Sequence, residues 1–373
     1  MLDPPWRVAA DTLPVRGTPR VREAVRIRLR DAAGHAGLGE ALPLAGFSLD
    51  DATIAWRALA AMASRVAEDG LAVPEFTSAP GARGRSAAAR LAAALAPHAA
   101  LLEGAPSARF ALECALVDLL ARREGLSAAQ WLADGRVLQR VPVSALLPDD
   151  DRGAVAAAVA AVGRGHTILK LKIARPDRTE REEDTLLADV RAAIDAASAG
   201  RRSRPLLRLD ANGAFAPGAV ANRFVALLRH GVELIEEPVG GQALLSLPTL
   251  PLPWAADESL ADPRLAEALL ALPRERRPAA LVLKPAHLGL ARCLMLAEAA
   301  TRHGVGLIVT HSFDGDLGHA AACALAAALP AAPWPCGLAP HPGLHAALPA
   351  QAWLPPPDTC GLGAVSDVAR WSA

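Results

Sequence analysis

The run Thr167-Ile168-Leu169-Lys170-Leu171-Lys172-Ile173 decides the fold. Successive side chains of an extended strand point to opposite faces, so Ile168, Lys170 and Lys172 share one face and Leu169, Leu171 and Ile173 share the other. The apolar face must meet a covering layer of helices, which sends both lysines inward. An ammonium taken out of water is costly unless something compensates it, so a purely structural pair there is disfavoured. The other reading is a solvated edge strand.

Ionisable residues recur at the ends of the strand-like runs that follow. Asp210 lies in Leu207-Arg208-Leu209-Asp210-Ala211-Asn212, Glu236 in Leu234-Ile235-Glu236-Glu237-Pro238, Asp257 in Ala256-Asp257-Glu258-Ser259, and Lys284 in Leu281-Val282-Leu283-Lys284-Pro285. The steps between these four are 26, 21 and 27 residues, each the length of one strand plus one helix. Seven short β-rich runs can be read between 141 and 310, at 141–147, 167–173, 205–210, 232–236, 254–257, 279–284 and 306–310. A weak eighth lies near Gly337-Leu338. Such alternation predicts an α/β fold with a parallel sheet, and its repeat number favours a (β/α)8-type TIM barrel. Strand C-termini of that barrel meet at one mouth, so the ionisable groups are delivered to one ring.

The residues before the barrel read as an α+β cap. Val21 to Arg30 alternates in the manner of a half-exposed strand, with Gly34, Gly37 and Gly39 expected to punctuate turns. Helical patterns follow at roughly 50–67, 86–96 and 108–123, with a loop at 77–85. The expected division is a cap over 1–135, a barrel with the site over 136–345, and a C-terminal segment over 346–373 that returns to the cap.

Composition removes several alternatives. The 373 residues carry a formal charge of +0, with acids and bases interspersed, which argues against nucleic acid or an anionic membrane as partner. Mean hydropathy is +0.23, yet no run approaches the ~18 apolar residues of a membrane span. The first residues show no basic segment followed by an apolar run, so a cytoplasmic protein is expected. Cys114, Cys293, Cys323, Cys336 and Cys360 are scattered without a C-x-x-C pair and read as small buried hydrophobes. Of 39 basic residues only Lys170, Lys172 and Lys284 are lysine. Where bias has favoured arginine, a retained lysine is a candidate for chemistry that arginine, always charged, cannot perform.

Three carboxylates gathered in one ring raise one another's affinity for protons unless a cation is present. Asp210, Glu236 and Asp257 are hard oxygen ligands suited to magnesium or manganese. The plainer reading is that each caps a helix or pairs with an arginine. Their placement on consecutive strands favours the metal.

Together K-x-K, D-x-N, I-E-E-P, D-E-S and L-K-P resemble the muconate lactonizing enzyme subgroup of the enolase superfamily. The run from Gly37 to Ser48 looks like the substrate-facing loop of that family's capping domain, and Pro106 to Leu116 like its packing helix. Within the subgroup, Pro43-Leu44-Ala45-Gly46-Phe47-Ser48 and Leu169-Lys170-Leu171-Lys172-Ile173-Ala174 look most like the o-succinylbenzoate synthases. The resemblance covers nearly the whole chain and implies a modified, enolase-like barrel.

The resemblance further implies removal of a proton next to a carboxylate, with Lys172 as base, Lys170 holding the developing enediolate and Lys284 a cation across the mouth. Asn212, Glu237 and Glu258 would support the ligands from behind, and Phe47, Ser48, His311 and Ser312 would face a small carboxylate substrate. The seventh strand departs from the synthase pattern, reading Thr310-His311-Ser312-Phe313-Asp314-Gly315-Asp316. His311 is therefore either a carboxylate binder or a structural group. The rival readings are an N-acylamino acid racemase or dipeptide epimerase on the same barrel, in which Lys284 is a second base, and a non-catalytic relative. A homo-oligomer is compatible with all of them.

Overall fold

The computed structural model describes residues 7–14, 21–69, 86–133, 137–148, 150–339 and 360–363. The loop expected at 77–85, and 340–359 and 364–373 of the barrel end and C-terminal segment, lie outside the described residues.

The N-terminal part opens with an antiparallel sheet of β1 (Arg7–Pro14), β2 (Val21–Arg30) and β3 (Ala36–Ala41), paired in that order. The alternation read in β2 is seen in its burial: Val25, Ile27 and Leu29 are covered, while Arg26 and Arg28 between them are half-exposed. Helices α1 (Ala52–Asp69), α2 (Ala87–Leu95), α3 (Pro106–Arg123) and α4 (Ala128–Ala133) follow. Burial around most of its circumference makes α3 the central post of the molecule.

Two glycines expected in turns are strand residues instead. A Cβ at Gly37 would stand 2.1 Å from the Ala115 carbonyl oxygen, and one at Gly39 1.8 Å from that of Ala111. Both lie in β3, where the missing side chain lets the strand backbone press against α3. Gly34, at φ +91°, is the turn glycine between β2 and β3.

The second sheet is parallel throughout and follows chain order: β4 (Ala145–Leu146), β5 (Ile168–Lys172), β6 (Leu206–Asp210), β7 (Val232–Glu236), β8 (Trp254–Ala256), β9 (Ala280–Leu283) and β10 (Gly306–Val309). Around it run α5 (Asp151–Gly163), α6 (Glu180–Ala197), α7 (Val220–Leu227), α8 (Pro263–Ala271), the single turn α9 (Pro285–Leu288), α10 (Leu290–Arg302) and α11 (Asp316–Ala328). The weak eighth run reduces to two bridging residues. Cys336 pairs in parallel with Val143 beside β4, and Gly337 with Thr310 beside β10, so the curled sheet is joined edge to edge.

Strand parity sorts the core into two parts. Leu234, Ala255, Ala280, Val282 and Ile308 form a small apolar cluster with Trp334 against it, and they share the inward parity of Glu236, Asp257 and Lys284. The opposite faces join the helices and the cap in one large core. The barrel floor is thus plugged by small and branched side chains beneath a polar mouth.

Cap and barrel are joined by buried acids of α3. The Glu113 carboxylate accepts the Leu290 N–H, and that of Ala291 at 3.3 Å, capping the start of α10. Asp118 accepts the Leu38 N–H at 3.0 Å and the Leu362 N–H at 2.8 Å, tying β3 and residues 360–363 to one carboxylate. Four of the five cysteines are buried as expected, but Cys360 is exposed, because its neighbours Gly361 and Leu362 make the contacts to the cap.

Two outcomes follow from these joints. Gly39→Ala should lower the thermal midpoint by about 1–4 °C through overpacking, while Gly163→Ala, which meets open space, should leave it nearly unchanged. Burial pushes the Glu113 carboxyl up from 4.5 to about 7. The folded chain keeps a proton that the unfolded chain has released, so this contribution is complete below pH 4.5 and lost as pH rises through 7. Thermal midpoints recorded from pH 5 to about 7.5 should therefore fall less steeply in Glu113→Gln than in the native sequence; equal slopes would contradict the assignment.

Candidate active site

Register places the mouth residues side by side. Lys172 pairs with Asp210 across β5 and β6, and Asp210 with Glu236 across β6 and β7. Asp257 follows β8 by one residue and Lys284 follows β9 by one. Asp210, Glu236 and Asp257 are all buried, and their ligand oxygens lie within 4.8 Å of one another.

Two of the three lysines are committed to these acids. Lys170 Nζ lies 2.8 Å from Asp210 Oδ2 and donates to Glu236 Oε2. Burial pulls its ammonium down, but Asp210 and Glu236 outweigh this and hold it well above the ordinary lysine value. Lys284 Nζ lies 2.7 Å from both Asp257 Oδ2 and Glu258 Oε1. Burial lowers it too, and again Asp257 and Glu258 prevail, so it stays firmly charged. Lys172 differs. Among the described residues it makes no ion pair, and its Nζ stands over the Phe47 ring at 4.7 Å from the centroid.

The carboxylates carry more negative charge than these contacts discharge. Asp257 Oδ1 is buried without any hydrogen-bond partner, and Oδ2 has Lys284 at ion-pair distance but not in hydrogen-bond alignment. Burial accordingly pushes the Asp257 carboxyl far above its usual range. For Asp210, burial acts in the same sense but the Lys170 ammonium outweighs it and holds the group low. An orphaned buried oxygen facing two other carboxylates is the donor set a hard divalent cation takes. These residues fit such an ion.

The supporting residues act through the backbone. Glu237 accepts the Asp257 N–H at 2.7 Å, the Ser259 N–H at 3.1 Å and the Ser259 hydroxyl, fixing the turn after β8. Burial lifts its carboxyl to about 7. Asn212 gives its N–H to Asp210 Oδ1 at 3.0 Å and its amide to Glu258 Oε1 at 3.3 Å. Among the described residues the non-glycine positions with positive φ are Ala174, Asn212, Glu237 and Phe313, all within four residues of a barrel strand's C-terminal end. Such strain costs of order 1–3 kcal/mol per residue and is concentrated at the mouth.

The residues expected to face substrate divide. Phe47 is 47% exposed and lies over Lys172, whereas Ser48 turns its hydroxyl back to accept the Leu44 N–H at 2.8 Å. His311 spends both nitrogens locally, Nδ1 accepting the Phe313 N–H at 3.0 Å and Nε2 meeting the Ala339 carbonyl at 3.0 Å. Of the two readings of His311, this geometry favours the structural one. Ser312 is buried and bonds His287 Nε2 at 2.9 Å.

Two residues were not singled out from the sequence. His287 sits three residues past Lys284, and no spacing rule connects it to Ser312. Arg208 lies inside the barrel, bonded to Glu233 Oε2 and to the Pro335 carbonyl, with Nε 3.8 Å from Glu236 Oε1. Its signal was available: it shares the inward parity of Asp210 two residues on.

Residues 153–369 match the family described as enolase C-terminal domain-like. The chain is 31% identical over 305 residues to the o-succinylbenzoate synthase of Desulfotalea psychrophila, covering 78% of this chain and 79% of that one. It is 34% identical over 213 residues to that of Thermobifida fusca, covering 56% and 62% respectively. Muconate cycloisomerase from Pseudomonas fluorescens has the same fold, with a TM-score of 0.72 at 24% identity over 98% of this chain and 96% of that one. A dipeptide epimerase from Methylococcus capsulatus, solved with a magnesium ion, gives 0.69 at 24% identity over 90% and 89%. A chain with these relatives, whose consecutive barrel strands deliver three carboxylates beside buried lysines, belongs to the enolase superfamily, among its muconate lactonizing enzyme-like members.

Proposed function

We propose that this chain is a divalent-metal o-succinylbenzoate synthase, which abstracts the proton next to a carboxylate and then eliminates water. The observation that carries the reading is the division among the lysines. Lys170 and Lys284 are bound to carboxylates, and Lys172 faces the mouth with none, so its amine is the one available to exchange a proton.

The α-proton of a carboxylate is weakly acidic, so the negative charge that develops must be met by fixed positive charge; enzymes in general supply about 8–23 kcal/mol of such help. Asp210, Glu236 and Asp257 would hold magnesium or manganese, whose charge offsets that growing on the carboxylate oxygens. Lys170 adds a fixed ammonium at the same end. Lys172 Nζ takes the α-proton, the C–H electron pair moves into the carboxylate, and its return expels the neighbouring hydroxyl. Lys172 delivers the proton to that leaving oxygen, releasing water, and the cyclohexadiene ring becomes aromatic. Lys284 is a fixed cation facing the other side. Glu237, Asn212 and Glu258 keep the ligands and Lys284 in place.

The racemase or epimerase reading needs Lys284 to cycle as a second base. Its two ion pairs favour the dehydration instead. The intact ring speaks against an idle relative.

Purified protein with magnesium should convert the succinyl-substituted hydroxycyclohexadiene carboxylate to the aromatic product, followed by absorbance. Lys172→Ala should lower kcat by about 10²–10⁴ while retaining the fold. Lys172→Arg should be comparably impaired, since arginine cannot serve as base, and an active arginine variant would remove Lys172 from that role. If the native protein is inert here yet exchanges the α-proton of an N-acylamino acid in heavy water, the epimerase reading replaces this one. Independently, magnesium should raise the thermal midpoint by mass action. Asp257→Asn should abolish that rise, read against the variant's own metal-free midpoint because the substitution also takes a partner from the buried Lys284 ammonium. A rise undiminished in the variant would place the ion elsewhere.

A further inference from the structure

His287 is an ionisable group at the mouth that the chemistry above does not use. Lys284 caps the single turn α9, and His287 lies on that turn with its N–H donated to the Lys284 carbonyl at 3.0 Å. Its ring crosses to the next loop and meets the Ser312 hydroxyl, so this side-chain contact bridges α9 and the segment after β10 at the mouth. Ser312 continues the alternate positions Ile308 and Thr310, of which Ile308 belongs to the barrel interior. Its backbone is held as well, the N–H going to Asp314 Oδ2 at 3.2 Å. Burial, with the Lys284 ammonium alongside, pushes His287 down to about 4, so the ring is neutral at ordinary pH.

We propose that His287 is a positioning residue that fixes the Ser312 hydroxyl for the oxygen function at the far end of the substrate's side chain, and so helps set which acyl substituent the site accepts. A neutral imidazole carries one N–H. With that hydrogen on Nε2 the ring donates to Ser312 Oγ, which leaves the Ser312 O–H to donate to an anionic or carbonyl oxygen of the ligand. Lys284, on the same turn, reinforces the preference for negative charge there. A free hydroxyl would populate several rotamers, and holding one in advance removes that cost from binding. The inference rests on the reading that this mouth takes a carboxylate substrate with a polar side chain.

The test is calorimetric titration of the magnesium-loaded protein with o-succinylbenzoate, and with benzoate as the form lacking the side chain. His287→Leu and Ser312→Ala should each weaken o-succinylbenzoate by about tenfold, the double variant should be no worse than either single, and benzoate should be unaffected. His287→Gln, whose amide nitrogen can reach where Nε2 was, should restore most of the affinity. In turnover the same variants should raise KM with kcat little changed. Equal affinities in native and His287→Leu protein, additive losses, or no binding of o-succinylbenzoate to the native protein would overturn the inference. Binding that behaves as described in a protein without turnover would sink the synthase reading alone.

Discussion

The mouth of this barrel is governed by electrostatic crowding. Three carboxylates share a buried space within 4.8 Å, and Glu237 and Glu258 lie close behind them. Coulomb repulsion in so small and buried a space drives at least one of them toward protonation unless cations stand among them. Lys170 and Lys284 supply two, and their own charges are secured by the acids they meet. In return the Lys170 ammonium holds Asp210 low against its burial. Asp257, neither of whose oxygens accepts a hydrogen bond, marks where this compensation is incomplete.

Much of the remaining architecture holds that crowded ring in place. The inward faces of the strands beneath are small or branched and fill the barrel, leaving the mouth as its polar layer. Left-handed backbone at Ala174, Asn212, Glu237 and Phe313 turns the chain sharply after four strands, a local cost offset by the packed elements around it. The cap is fastened from the other side. Buried acids of α3 cap α10 and gather β3 with residues 360–363, and the glycines of β3 allow the sheet to lie directly on that helix. Phe47 thereby comes to rest over Lys172.

The parts of this arrangement that depend on local period were legible in the sequence. Alternation alone sent Lys170 and Lys172 inward, and steps of one strand plus helix carried Asp210, Glu236, Asp257 and Lys284 to the same end. Features decided by packing between distant segments were not. Gly37 and Gly39 carry the same compositional signal in a turn as in a strand, and only the nearness of α3 distinguishes the two. The closing strand is two residues long, too short to show a period. The contact between His287 and Ser312 joins residues on different loops and needs the barrel to exist before it can be seen. His311 had two readings because its partners, the Phe313 N–H and the Ala339 carbonyl, are backbone groups that no side-chain pattern announces.

The most direct test of the account is anomalous diffraction from crystals of the protein soaked in manganese. The account predicts one strong peak per chain among Asp210, Glu236 and Asp257, with Lys172 facing the open side of the ion. No peak there at saturating manganese, or a peak held by other residues, would contradict it.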